Sequence, residues 1–164
     1  RGAADGAEPL LLADAAPQAL EAAVAESGGR PASVAEAARA DLVCVAVKPG
    51  DAEAVLAEVA PELRPGAVLL SVMAGWTLDR LAAAAPGAAV ARTMPNLAVR
   101  HGAGIVAMAA RGLDAERAGA LRERLHALGT VVELPEAIFP AATALAGSGP
   151  GFLALVAEGL EEGA

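Results

Sequence analysis

Leu42-Val43-Cys44-Val45-Ala46-Val47, running straight into Lys48-Pro49-Gly50, is an apolar run closed by a turn signal. A continuous apolar stretch this short, rich in valine, reads as a strand covered on both faces, the habit of parallel sheets set between layers of helix. The same punctuation repeats downstream. Asp51 can cap a helix reaching about Ala60, Pro61 stops it, Pro65-Gly66 turns the chain, and residues 67–72 form a second apolar strand before Ala74-Gly75. Thr77 caps a helix over residues 78–84, and residues 88–92 return as a third strand, followed by Met94-Pro95-Asn96. Upstream, residues 10–13 make a short strand, Pro17 to Glu26 a helix closed by Gly28-Gly29, and Ser33-x-x-Glu36 has capping-box spacing. Strand and helix units of this length imply an α/β fold, a mostly parallel sheet with right-handed crossovers and helices on both faces.

After Asn96 the pattern changes. Gly102-Ala103-Gly104 leads into residues 105–109 with no intervening helix, which predicts a hairpin-like addition. Asp114 then caps a helix with apolar or small positions at Leu113, Ala118, Leu121, Leu125 and Leu128, ended by Gly129 before a strand over residues 130–134. Residues 137–157 carry no charge, a length that alone would suit a membrane span of about 20 residues. Pro140, Gly147, Gly149, Pro150 and Gly151 are expected to cut this run into two short helical pieces, which favours core or subunit-interface helices over a span.

Composition narrows the function classes. With 55% hydrophobic residues among 164, the chain has enough apolar surface for one good core and is not of the disordered class. A net charge of -8 without a basic run argues against nucleic acid and against anionic membrane surfaces as partners. The single cysteine, Cys44, lies in the apolar strand, so a buried structural role and a reducing, cytoplasmic setting are expected. Residues 1–9 lack the apolar centre of a signal peptide. A start at Arg1 rather than methionine, and an end in mid-helix, read as part of a longer protein.

Three strand ends in succession point to one edge of a parallel sheet, and in open α/β sheets a nucleotide binds at that edge. Lys48 stands where an ammonium could approach phosphate or ribose. Ala74 and Gly75 are small enough to let a ligand reach the main chain, and Asn96 offers both a donor and an acceptor. Asp14 ends the first strand, where an acid can bond a ribose diol, and equally serves as an N-cap for the helix through Pro17. No Arg, Lys or Ser follows it before Glu21, which favours NADH over NADPH. Gly147-Ser148-Gly149-Pro150 suggests a sharp turn into a helix whose first amides face an anion. His101 and His126 show no metal pattern, Trp76 reads as a core anchor, and no residue reads as a general acid.

Taken in order, Ala46-Val47-Lys48-Pro49, Ala74-Gly75, Met94-Pro95-Asn96 and Gly147-Ser148-Gly149-Pro150 resemble the pyrroline-5-carboxylate reductase family. The resemblance implies a Rossmann-like dinucleotide-binding domain over residues 1–134, lacking the strand and glycine-rich pyrophosphate turn that precede it in the family. Residues 135–164 become the start of an all-helical dimerisation and substrate domain. It further implies NAD(P)H as cofactor, a small-molecule imine as substrate, and a homo-oligomer built on a dimer. Cofactor contacts fall to Asp14, Ala46, Val47, Lys48, Pro49, Ala74, Gly75, Met94, Pro95 and Asn96, and substrate contacts to Ser148 and Gly149; no catalytic side chain and no metal is assigned. Departures from the family pattern are Trp76 for an aliphatic residue, Pro140 for aspartate, Ala146 for serine and Gly151-Phe152 for Ala-Tyr. Two other readings stay open: a related NAD(P)-dependent imine or keto-acid reductase, and a noncatalytic nucleotide-binding or dimerisation remnant.

Overall fold

The computed structural model describes residues 10–163. Strand β1 (Leu11–Leu12), helix α1 (Pro17–Ser27) and strand β2 (Arg30–Pro31) come first, the two strands pairing in parallel as a small sheet of their own. Pro17 opens α1, and Gly28, at φ +72°, closes it in the left-handed conformation that favours glycine. Arg30-Pro31 has no apolar signature in the sequence to mark it as a strand. At the start of α2 (Val34–Ala37), Ser33 Oγ accepts a hydrogen bond from the Glu36 N–H at 3.1 Å, as the capping-box spacing implies.

The main sheet holds β3 (Leu42–Val45), β4 (Val68–Ser71), β5 (Ala89–Pro95), β6 (Gly104–Arg111) and β7 (Gly129–Glu133), adjacent in that order. β3, β4 and β5 are parallel, joined through α3 (Ala52–Val59) and α4 (Leu78–Ala84). β6 turns back antiparallel to β5, the hairpin-like addition, and β7 joins it in parallel after α5 (Ala115–His126). Thr77 and Asp114 cap α4 and α5 by accepting from the Arg80 and Arg117 N–H groups. Asp51 precedes α3 without a side-chain cap bond.

Strand alternation divides the core between two faces. Val43, Val45, Leu69 and Val90 pack with Leu56, Trp76 and Leu81 on one side. Val68, Leu70, Ala91 and Met108 pack with Leu121 and Leu125 of α5 on the other. Cys44 departs from the buried role expected of it. It shares the α5 side with Leu42, but β3 is the margin of the sheet and the α5 leucines pack over its neighbours, so Cys44 is exposed. The chain crowding the sulfur still desolvates it enough to push the thiol pKa up.

The end of the chain departs further. A short turn of 3-10 helix (Glu136–Ile138), α6 (Phe139–Ala142), a π-helical turn (Thr143–Ser148) and α7 (Gly149–Glu162) follow without a break, a helical run from Glu136 to Glu162. The expected cut at the glycines and prolines does not occur. The Gly149 N–H donates to the Ala144 carbonyl five residues back, and this wider turn accommodates the Pro150 ring, which would crowd the carbonyl four residues earlier in a regular α-helix. Pro140 sits in the first turn of α6, where no backbone donor is needed. With the break gone, the run is by length and composition apolar enough to cross a membrane, although Glu158, Glu161 and Glu162 charge its last turns.

Candidate functional site: the carboxyl edge of β3, β4 and β5

The register places three strand ends side by side, Val45 opposite Ser71 and Ser71 opposite Arg92. Residues 46–49, 72–75 and 93–96 therefore lie along one edge. Trp76, only 2% exposed, ties two of these segments together: its Nε1–H donates to the Pro49 carbonyl at 3.3 Å. The Thr93 hydroxyl donates to the Ser71 carbonyl at 3.4 Å, linking the third to the second. Trp76 is thus the core anchor the sequence suggested, and it also fixes the distance between two turns.

Ala46, Lys48, Pro49, Ala74 and Gly75 are exposed on this edge, while Val47, Met94, Pro95 and Asn96 are half-buried. Gly75 has φ +75°, and the place where a Cβ would stand is open, with no atom within 4 Å. It is glycine for the backbone shape, and the space beside it admits a flat ligand. Met94 and Pro95, expected in a turn after the strand, are its last two residues, because β6 extends the pairing to Ala107 and Val106. Asn96 is committed to that hairpin: its Oδ1 accepts from the Ile105 N–H at 3.1 Å, and its own N–H donates to the Ile105 carbonyl.

A cavity of about 560 Å³ opens here, lined by Ala74, Gly75, Thr77, Arg92, Met94 and Phe139 and extending to Thr143. The Ala46-to-Pro49 turn borders the same edge without lining the cavity. Asp14 stands at the exit of β1, in the separate small sheet, and its Oδ1 accepts from the Ala16 N–H at 2.7 Å. It closes the turn into α1 instead of capping it, since the N-cap residue is Ala16. Ser148 and Gly149 are not brought to the cavity. They lie at the π-to-α junction, and the Gly149 amide is spent inside the helix, so the expected anion-facing turn is absent.

Sequence reasoning missed the ionic part of the site. Arg92, read only as a strand end, is 6% exposed; its Nη1 donates to Glu136 Oε1 at 2.9 Å, and its guanidinium stacks 4.4 Å from the Phe139 ring centroid. Glu136 Oε1 also accepts from the Leu78 N–H at 2.7 Å, at the start of α4, where the helix dipole favours a carboxylate. The signal was there to read: an arginine inside the run Ala89-Val90-Ala91-Arg92-Thr93 is a charge that burial obliges to find a partner.

Residues 2–75 match the family model described as NADP oxidoreductase coenzyme F420-dependent. The pyrroline-5-carboxylate reductase of Synechocystis is 37% identical over 125 residues, 75% of this chain and 46% of that protein. Among solved structures, the pyrroline-5-carboxylate reductase of Coxiella burnetii superposes with a TM-score of 0.84 at 24% identity, over 93% of this chain and 59% of that one. The pyrroline carboxylate reductase of Plasmodium falciparum, solved with NADP bound, gives 0.82 at 22% identity over 93% and 57%. The chain spans about half the length of the curated relatives it matches. Over that shared half the chain is similar, at 35–37% identity, to curated proteins named pyrroline-5-carboxylate reductase.

Proposed function

We propose that this chain supplies the cofactor side of a pyrroline-5-carboxylate reductase, in which hydride passes from NAD(P)H to the imine carbon of 1-pyrroline-5-carboxylate and a proton reaches its nitrogen, giving L-proline. The observation that carries the reading is the alignment of three family-like strand ends on one edge, beside a cavity, in a chain 37% identical to a protein of that name. The nicotinamide supplies the hydride chemistry; the residues hold and orient. The open, small-residue surface at Ala74 and Gly75 fits a flat ring, with Met94 beside it. Ala46, Val47, Lys48 and Pro49 offer backbone and one ammonium to ribose and phosphate, and Pro95 with Asn96 keeps the edge in shape. Fixing ring and imine face to face converts an encounter into an oriented reaction, the main rate advantage this edge can supply.

Asp14 keeps a second carboxylate oxygen for a ribose diol and favours NADH by repelling a 2′-phosphate. The role of Ser148 and Gly149 toward substrate rests on motif resemblance alone. Residues 1–134 form the dinucleotide-binding part and 135–164 the start of the helical part. The exposed Phe152, Leu153, Leu155 and Val156 of α7 favour a homo-oligomer built on a dimer that covers them. The single cysteine fits a cytoplasmic setting.

The test is to express the chain within its complete coding sequence and follow oxidation of NADH and NADPH. Oxidation that requires 1-pyrroline-5-carboxylate, and that Ala74→Trp removes by filling the crevice, is expected. Equal turnover with open-chain imines or keto acids, or none with any of them, would overturn the assignment.

A further inference from the structure

Arg92 is an unusual occupant for a strand in the middle of a sheet. Its side chain is almost wholly buried, and its Nε finds no hydrogen-bond partner. A buried ion pair with a donor left over is commonly no more stable than apolar packing of similar volume. Stability is therefore a poor account of why a guanidinium stands there. What it does is join three elements. From β5, two residues before Met94, it holds Glu136; Glu136 in turn holds the Leu78 N–H at the start of α4, just past the Ala74-Gly75 turn. The flat face of the same guanidinium lies over Phe139 in α6, one helical turn before Thr143. Arg92, Glu136, Phe139 and Thr143 line one cavity with Gly75 and Met94.

We propose that Arg92 is a positioning residue: through Glu136 and Phe139 it latches the helical segment over residues 136–143 to the carboxyl edge of β4 and β5, and so sets the width of the cavity where reduced cofactor and imine meet. This rests on the reductase reading for its functional half only. The latch itself is a property of the chain. A lysine would keep the charge but not the planar face that stacks on Phe139, so R92K is a partial replacement, R92M removes the ion pair, and E136Q keeps an acceptor for Leu78 while removing the charge.

Hydrogen exchange on the 164-residue chain tests the latch without needing turnover. In E136Q and R92M, amides of residues 136–148 should exchange at least about tenfold faster, those of β3 and β4 unchanged, with R92K between mutant and parent. Unchanged exchange at residues 136–148 in E136Q and R92M, or a uniform loss of protection across the sheet, would overturn the proposal. In the complete protein, E136Q should lower kcat about tenfold or more with little change in KM for the reduced cofactor, because a displaced wall misaligns the reactants more than it weakens cofactor binding. A rise in that KM with kcat intact would refute the positioning role. An inactive parent with the exchange pattern as expected would sink the reductase reading and leave the latch.

Discussion

The carboxyl edge of the sheet and helix α7 each carry a family-like motif, yet they are built differently. At the edge, each motif-bearing segment is held by another part of the chain: Pro49 by Trp76, Ser71 by Thr93 and Arg92 by Glu136 at long range, and Asn96 by Ile105 across the hairpin. Along α7 no residue is buried, and Phe152 and Leu153 stand 66% and 72% exposed. A motif whose shape is imposed by long-range bonds is complete within this chain. One carried by a bare helix has no such support among the described residues.

The sharpest way to break that contrast is Trp76→Ala. Loss of a buried indole should cost about 3–5 kcal/mol in urea unfolding, and a loss under about 1 kcal/mol would mean the edge is not held by its anchor. Gly75→Ala should cost about 1–2 kcal/mol, all of it from the left-handed backbone because the space beside it is empty, and Gly75→Asn should recover part of it. Cys44 sharpens the boundary of the well-packed region. Its thiol is reachable but desolvated, so alkylation of the folded chain should proceed, with a half-maximal pH above the roughly 8.5 of an ordinary thiol. Since the folded pKa is the higher one, the protonated thiol favours the folded state below the unfolded pKa, and that contribution fades as pH rises through the folded value. Smallest for stability is Phe152→Ser with Leu153→Ser: within about 0.5 kcal/mol in unfolding, but with self-association reduced in sedimentation velocity. A large fall in stability would show that α7 packs on its own sheet.

The alternation of buried strands and capped helices was legible because each decision is local. A strand beginning at Leu42, the caps at Thr77 and Asp114, and the leucines of α5 read correctly from spacing, although that strand ends at Val45 and is covered on one face only. What failed was whatever depended on partners. Cys44 looked buried because its neighbours in sequence are apolar, but burial is conferred by the layer above a strand, and that layer stops short of β3. Met94 and Pro95 looked like turn residues until β6 arrived to pair with them. The glycines and prolines around Ser148 signalled a break, and a π turn absorbed them. Arg92 and Glu136, 44 residues apart, could be joined only by the fold.

The π turn at Thr143–Ser148 has a consequence for which way the molecule faces. Each residue of an α-helix rotates the side-chain direction by about 100°, so one extra residue in a turn re-aims everything beyond it by that angle. Phe139, before the turn, points into the sheet; Phe152 and Leu153, after it, point away into solvent. The direction in which the exposed helix leaves the segment docked on the sheet thus depends on a single residue. Deleting one residue among 144–147 would remove that wider turn, bring the Pro150 ring against the carbonyl four residues earlier, and so bend or re-aim the whole of α7 relative to the sheet.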